Sequence, residues 1–423
     1  MAATHKGNLI SNMQALLLVL LNPLSSNEAV AAVLGGFSSQ EWNSFCRYLE
    51  SHSLANLLYA RLQQKDLLAL VPPEERRVLH EIYLANAARN LVILTRAAEA
   101  LTALQAENIP VIGLKGLYLL ENVYGDIGAR AMNDLDILVR RENVPRTVGI
   151  LQRLSYRPPI YFDSSVENRD VKHVPPMSLA DGTTIEVHWS LLEEDEPFSI
   201  DPQGVWQRAR SARFADTDAY ALSTEDLLLH LCVHANYQHY LKLGLRGMLD
   251  IALVLNLEAD RLDWRKLGEI SQQWGAEKTL ALSFALIAEI GWANLPEGFL
   301  SELLPYSLDA DILTKAKTLL LQDNLAPNAI TPDVAALSST KNLGQKASVI
   351  LNRIFIPRPA LARLYKLNPN SPGILLGYFR RAIDLFRQYG STIGKISTMD
   401  EAIQQDLARE KDRFLIHDWQ KPE

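Results

Sequence analysis

Asp134 and Asp136 stand two residues apart in Asp134-Leu-Asp-Ile-Leu-Val139, a stretch that alternates polar and apolar residues. That period of two predicts a half-buried strand with both carboxylates on one face, able to reach one common point. Two anions held this close await cations, and paired magnesium ions about 3.5–4 Å apart need bridging carboxylates. A third acid, Glu186, lies in Thr183-Thr-Ile-Glu-Val-His-Trp189, which alternates in the same way. There Thr184, Glu186 and His188 share one face, and Ile185, Val187 and Trp189 the other. Three carboxylates give an oxygen-only ligand set, which suits Mg2+ or Mn2+ rather than zinc. An isolated Asp-x-Asp is more often a solvated strand end, so the neighbouring residues decide its weight.

Just upstream, Val111-Ile-Gly-Leu114 reads as a short buried strand and Gly116 to about Val123 as a helix. Backbone N–H groups at such a strand–Lys115-Gly116–helix turn can cradle phosphate, and Lys115 adds a mobile positive charge. Arg130, four residues before Asp134, has the fork to clamp a phosphate in bidentate fashion. His188 either hydrogen-bonds phosphate or acceptor, or packs at a domain seam, and the two readings weigh equally. Either Lys172 or His173 faces the same site. His230 and His234 share a helix face. They read first as polar residues facing the α/β unit, because Leu231-Cys-Val233 offers no glutamate for a metalloprotease helix. Asp250 sits on the apolar helix Met248-Leu-Asp-Ile-Ala-Leu-Val254 and needs a partner if buried, which Arg246 could supply from four residues earlier. Tyr237-Gln-His-Tyr240 is either a base-stacking cluster or a helix end. Gly125-Asp-Ile-Gly128 has the composition of a flexible loop that could cover a nucleotide, although a plain surface turn is the more frequent explanation, and Trp189 and Trp206 read as core.

These residues need elements to position them. Residues 9–105 read as helical, with an N-cap at Ser38 and a long helix opening at Pro72-Pro73-Glu-Glu. Residues 106–220 read as an α/β domain. It holds the two alternating strands, a helix at 142–154, a strand near 156–161, and a hairpin at 172–191 turning on Asp181-Gly182. Residues 221–423 return to helix, beginning at the capping signal Ser223-Thr-Glu-Asp226. Amphipathic segments follow near 245–257, 263–273, 276–291, 310–321, 342–354 and 373–388. The expected fold is α+β: a short mixed sheet with flanking helices, embedded between N-terminal and C-terminal helical regions.

The chain's 423 residues suffice for two or three domains, and its 48% apolar content excludes a disordered chain. With 42 basic against 49 acidic residues, the formal charge is −7. Without a Lys/Arg block this is a poor match for a phosphate polymer, so nucleic acid is not the expected partner. Two distant cysteines, Cys46 and Cys232, exclude a disulfide framework and fit a reducing compartment. The run Ala15-Leu-Leu-Leu-Val-Leu-Leu21 is too short to span a bilayer, and little positive charge precedes it. It is expected as a buried helix, with no membrane partner and a cytoplasmic location.

The order Leu114-Lys-Gly-Leu, Tyr124, Arg130-Ala-Met-Asn-Asp-Leu-Asp-Ile-Leu-Val139, then Ile185-Glu-Val-His-Trp189 resembles an uncharacterised nucleotidyltransferase family of the polymerase-β-like superfamily. The flanking helical regions are also similar, though only the central motifs are specific. The resemblance implies transfer of a nucleoside monophosphate from a triphosphate to an acceptor hydroxyl, with pyrophosphate released. Asp134 and Asp136 would bind both metals, Glu186 would hold the metal nearer the attacking hydroxyl, and Lys115, Gly116, Arg130 and His188 would serve the nucleotide. The acceptor would be a small molecule, a peptide or a protein. The superfamily's usual turn is Gly-Gly or Gly-Ser, whereas this chain has Lys115-Gly116-Leu117, so Lys115 would replace the serine electrostatically. That departure keeps open a catalytically silent nucleotide-binding or regulatory module. A toxin-type enzyme modifying tRNA or protein is the third reading.

Overall fold

A short strand pair lies at the centre of the sheet. In the computed structural model, which describes residues 14, 16–158, 172–303, 308–322, 351, 354–365, 367, 371–397 and 401–422, β1 (Ile112–Gly113) pairs antiparallel with β2 (Leu135–Leu138). All four β2 residues are buried, as befits a strand with β1 on one side and β4 on the other. Gly113 leaves room for Phe214, whose ring would come within 2.5 Å of a Cβ at that position. The full sheet has six strands in the order β3-β4-β2-β1-β6-β5, with β3 (Met177–Ser178), β4 (Thr184–His188), β5 (Arg210–Phe214) and β6 (Thr217–Ala221). It is mixed: β2 runs parallel to β4 and β1 parallel to β6, while β3–β4 and β5–β6 are antiparallel. The α+β expectation is met.

The hairpin expected around Asp181-Gly182 is β3–β4, with Gly182 at φ 86°. Of the strand expected at 156–161, only a bridge from Arg157 to Ser178 lies within the described residues. The β5–β6 hairpin was not read from the sequence. Its two-residue turn, Ala215-Asp216, takes positive φ at both positions (45° and 61°) without the usual Asn-Gly signature.

Helices precede the sheet: α1 (Asn27–Gly35), α2 (Ser39–Ser51), α3 (Ala55–Gln64) and the 34-residue α4 (Pro73–Ala106). Ser38 caps α2 in a reciprocal capping box with Glu41, and α4 opens on a proline with Glu74 and Glu75 in its first turn. Residues 16–21 are helical, with Leu17, Leu20 and Leu21 fully buried, as the apolar run suggested. Within the sheet region come α5 (Lys115–Leu119), α6 (Val144–Arg153) and α7 (Pro202–Arg208). After it come α8 (Thr224–Cys232), capped by the Ser223 side chain, then α9 (Gly244–Leu257), α10 (Trp264–Trp274) and α11 (Glu277–Glu289). The helix end after α9 is anchored by the buried Glu258 carboxylate, which accepts from Thr224, Tyr118 and Arg210.

By internal contacts the chain divides into two units. One comprises Met1–Arg157, Glu167–Asn324 and Gln420–Glu423, and the other Pro158–Val166 and Leu325–Trp419. The second unit contains helices Arg358–Tyr365, Ile374–Ser397 and Glu401–Trp419, with a small core of Leu361, Ala362 and Ile374. The helix expected at 342–354 lies largely outside the described residues. No described helix is long and apolar enough to cross a membrane.

Candidate active site

Strands β2 and β4 run side by side in a register that sets Asp136 directly opposite Glu186 and Leu138 opposite His188. Alternation therefore brings Asp136, Glu186 and His188 to the same face. His188 Nε2 lies 2.9 Å from Asp136 Oδ1 and 3.4 Å from Glu186 Oε2. The ligating atoms of these three residues all lie within 4.8 Å of one another, close enough to hold a metal ion together. Asp134, just before β2, is half-buried and lines the same cavity, but falls outside that tight trio. The geometry therefore groups two carboxylates and an imidazole where the sequence suggested three carboxylates, with the third acid alongside. His188 Nδ1 is buried without a hydrogen-bond partner. Together the two facing carboxylates, the adjacent imidazole and the nearby Asp134 form a donor set that fits a divalent cation.

The charges are strongly interdependent. Burial alone would raise the Asp136 pKa, but the Lys115 ammonium and the His188 hydrogen bond together hold it well below the usual carboxylate range. Asp134 goes the other way: burial, then repulsion from Asp136 and Glu186, push it up to about 6. Glu186 is lowered by its hydrogen bond to His188. His173 sits close by, its ring 4.8 Å from the His188 ring, and Lys172 lines the same cavity, so both members of that pair reach the site.

Lys115 takes a left-handed backbone conformation (φ 36°) at the start of α5, and its Nζ sits 3.2 Å from Asp136 Oδ1. Packing is tight at Gly116: a Cβ there would meet Met132 Cγ at 3.0 Å and Arg130 Nη1 at 3.2 Å, so both side chains would have to give by a few tenths of an ångström. Arg130 is placed at the cavity but is already engaged. Its Nε and Nη2 donate to the two Asp250 oxygens at 3.0 and 2.9 Å, and the Tyr124 hydroxyl donates to the same carboxylate at 2.7 Å. The expected Arg246–Asp250 pair is therefore corrected. A bidentate fork from Arg130, 120 positions away in sequence, takes the carboxylate that helical spacing had offered to Arg246.

The segment leading to Asp134 is held from the N-terminal helices by asparagines that sequence reasoning missed. Asn56 donates to the carbonyls of Gly128 and Ala129, Asn86 to that of Gly128, and Asn90 to those of Ile127 and Arg130. Asp126 also accepts from the Tyr83 hydroxyl. The loop expected to be flexible at Gly125–Gly128 is thus tied down at each step. The one available signal was an asparagine, Asn90, in register with the apolar face Leu79, Ile93, Ala97 and Leu101 of α4.

The opposite wall is helical. After α8 the chain passes through a π-turn at Val233–Gln238, a widened geometry frequent at functional sites. It sets His234 and Gln238 on the cavity, while Tyr237 packs edge-on to Phe198 in the core rather than offering a stacking face. Gln238 links three groups: Oε1 accepts from Lys172 Nζ at 2.9 Å and lies 3.2 Å from His234 Nδ1, and Nε2 donates to Glu196. His230 lies behind His234, fully buried. Trp189 and Trp206 are only half-buried, beneath the guanidinium groups of Arg141 and Arg140, and so are not core. The cavity between sheet and helical wall encloses about 600 Å3 and is completed by Arg246, His239 and Glu193.

A mixed sheet carrying facing carboxylates on adjacent parallel strands, with a polar cavity closed by helices on the far side, is a nucleotidyltransferase-like architecture. The chain belongs to a family of uncharacterised nucleotidyltransferases, which matches residues 38–291. That span runs from the N-cap of α2 past the end of α11, so the sheet and the helical wall of the cavity both belong to the family unit. No curated protein and no solved structure matches the chain.

Proposed function

We propose that this cavity transfers a nucleoside monophosphate from a nucleoside triphosphate to the hydroxyl of a small-molecule, peptide or protein acceptor. The acceptor oxygen forms a bond to the α-phosphorus, the bond from that phosphorus to its bridging oxygen breaks, and pyrophosphate leaves. The hydroxyl proton passes to Glu186, directly or through water. Asp134, Asp136 and Glu186 would hold Mg2+ or Mn2+, with His188 beside them. The bound cation would neutralise phosphate charge and lower the pKa of the attacking hydroxyl. Asp136 stays ionised through neutral pH because Lys115 and His188 outweigh the effect of its burial. His188, hydrogen-bonded to Asp136, fixes the orientation of that carboxylate.

The observation that carries this reading is the register of β2 and β4, which sets Asp136 and Glu186 opposite each other on a face open to the cavity. The net charge of −7 favours a small or protein acceptor over a nucleic acid. A silent nucleotide-binding module is favoured by one observation, the Lys115 ammonium seated on Asp136. The two readings separate in a single experiment. Pyrophosphate release from each of the four triphosphates is followed with Mg2+ or Mn2+ across an acceptor panel, for wild type and Asp136→Asn. Transfer predicts release by the wild type alone, reduced by about a hundredfold or more in the variant. Metal-dependent nucleotide binding with no release would support the silent module. Equal release from both proteins would reject the catalytic assignment.

A further inference from the structure

Two of the cavity's four strong cations are already engaged, Lys115 with Asp136 and Arg130 with Asp250. The other two are not. Arg246, one helical turn before Asp250 on α9, lines the cavity half-buried and makes no hydrogen bond or ion pair among the described residues. Lys172 lines it from the β4 side. Its Nζ donates only to the neutral Gln238 amide oxygen, and no described carboxylate lies within ion-pair distance. Glu193 and Glu196 flank Lys172, but Glu193 accepts from its backbone N–H and Glu196 from the Gln238 amide. Burial lowers the pKa of both cations, and like charge adds to it, Arg130 acting on Arg246 and Lys115 on Lys172, outweighing the opposite pull of Asp250 and Asp134 on Arg246 and of Glu196 and Glu193 on Lys172. A guanidinium withdrawn from water without an anion is costly, and its planar fork matches phosphate oxygens.

We propose that Arg246, with Lys172, forms a polyphosphate subsite on the helical wall that takes the terminal phosphates of the triphosphate, the part that departs as pyrophosphate. The subsite uses cations other than that of the Lys115-Gly116 turn, where the sequence had placed phosphate binding, though both line the same cavity. Arg130 acts instead as a positioning residue that ties α9, and with it Arg246, to the segment leading into Asp134. The identity of the anion rests on the transfer reading; the presence of an anion subsite does not.

The test is titration calorimetry of inorganic tripolyphosphate into the full chain without metal, which requires neither turnover nor the carboxylate site. Wild type is expected to bind, Arg246→Met to bind about tenfold more weakly or worse, and Lys172→Met several-fold more weakly. Asp136→Asn should retain binding, because it removes an anion rather than a cation. An Arg246→Met protein with an unchanged unfolding transition and wild-type affinity would overturn the proposal, as would a wild type that does not bind. Should Arg246→Met fail to fold, Arg246→Lys keeps the charge and loses the fork, and undiminished binding by that variant would equally overturn it. A phosphomonoester such as phosphoserine that binds as tightly as tripolyphosphate would overturn the assignment to the triphosphate tail. Loss of pyrophosphate release in Asp136→Asn, read separately, judges the transfer reading alone.

Discussion

Asp250 accepts from three donors, two on Arg130 and one on Tyr124, while 5% exposed on an otherwise apolar helix. Removing one partner of such a buried pair strands the other charge, so Asp250→Ala should cost about 3–5 kcal/mol and Tyr124→Phe about 1 kcal/mol. Urea unfolding measures both, and a loss below about 1 kcal/mol for Asp250→Ala would refute the pairing's structural weight. The need for a partner was legible, since a carboxylate among Met248, Leu249 and Ile251 cannot be left alone. Its identity was not. Helical spacing pointed to Arg246, whereas the tertiary fold brought in the better-shaped fork of Arg130. Period-two alternation, by contrast, put Asp134 with Asp136 and Glu186 with His188 on shared faces of their own strands without help from the fold. What it could not give was the register, and the register decides that Asp136 and Glu186 face each other while Asp134 stands aside.

Helices with caps and long apolar periodicity were readable as elements because their signals are local. Ser38, Pro73 and Ser223 each satisfy or avoid a terminal N–H within one turn. The β5–β6 hairpin and the π-turn at Val233–Gln238 were not, since Ala215-Asp216 carries no turn glycine and a π-turn has no sequence period. The asparagine clamp belongs to this scale too, because it joins α3 and α4 to the loop feeding β2. Asn90, fully buried, donates to two carbonyls, at 2.6 and 2.7 Å. Asn90→Leu conserves volume, removes both bonds, and should lower stability by about 2–3 kcal/mol. It should also lower kcat through the placement of Asp134, because Asn90 holds the carbonyl of Arg130 four residues before it. Denaturation midpoints with turnover check this together, and a Leu variant with unchanged stability would sink the clamp.

The molecule as a whole should weaken in mild acid. Burial, aided by the Lys115 charge, pushes the pKa values of His230 and His234 well below the usual value for histidine. Unfolded, both titrate near 6.5, so below that pH the unfolded chain binds protons that the folded chain refuses, and stability falls as pH falls. Each histidine contributes a slope of up to about 1.4 kcal/mol per pH unit. Asp134 opposes them, because its folded pKa of about 6 lets the native chain keep a proton that the unfolded chain has released. Glu121 and Glu196, also raised by burial, act in the same direction as Asp134. Between pH 7 and 5.5 the histidines prevail, joined by His239, which burial pushes down to about 4, and a loss of about 2–3 kcal/mol is expected by urea unfolding, reduced in His230→Gln. Stability that stays flat or rises over that interval would contradict the buried-neutral assignment. The central claim is that the carboxylates on β2 and β4 gather a divalent ion against the nucleotide, and it is tested most directly by Mn2+ binding. Electron paramagnetic resonance titration with a non-hydrolysable triphosphate analogue present should show tight Mn2+ binding in wild type, weakened at least about tenfold in both Asp136→Asn and Glu186→Gln. Undiminished Mn2+ affinity in those two variants would contradict the account.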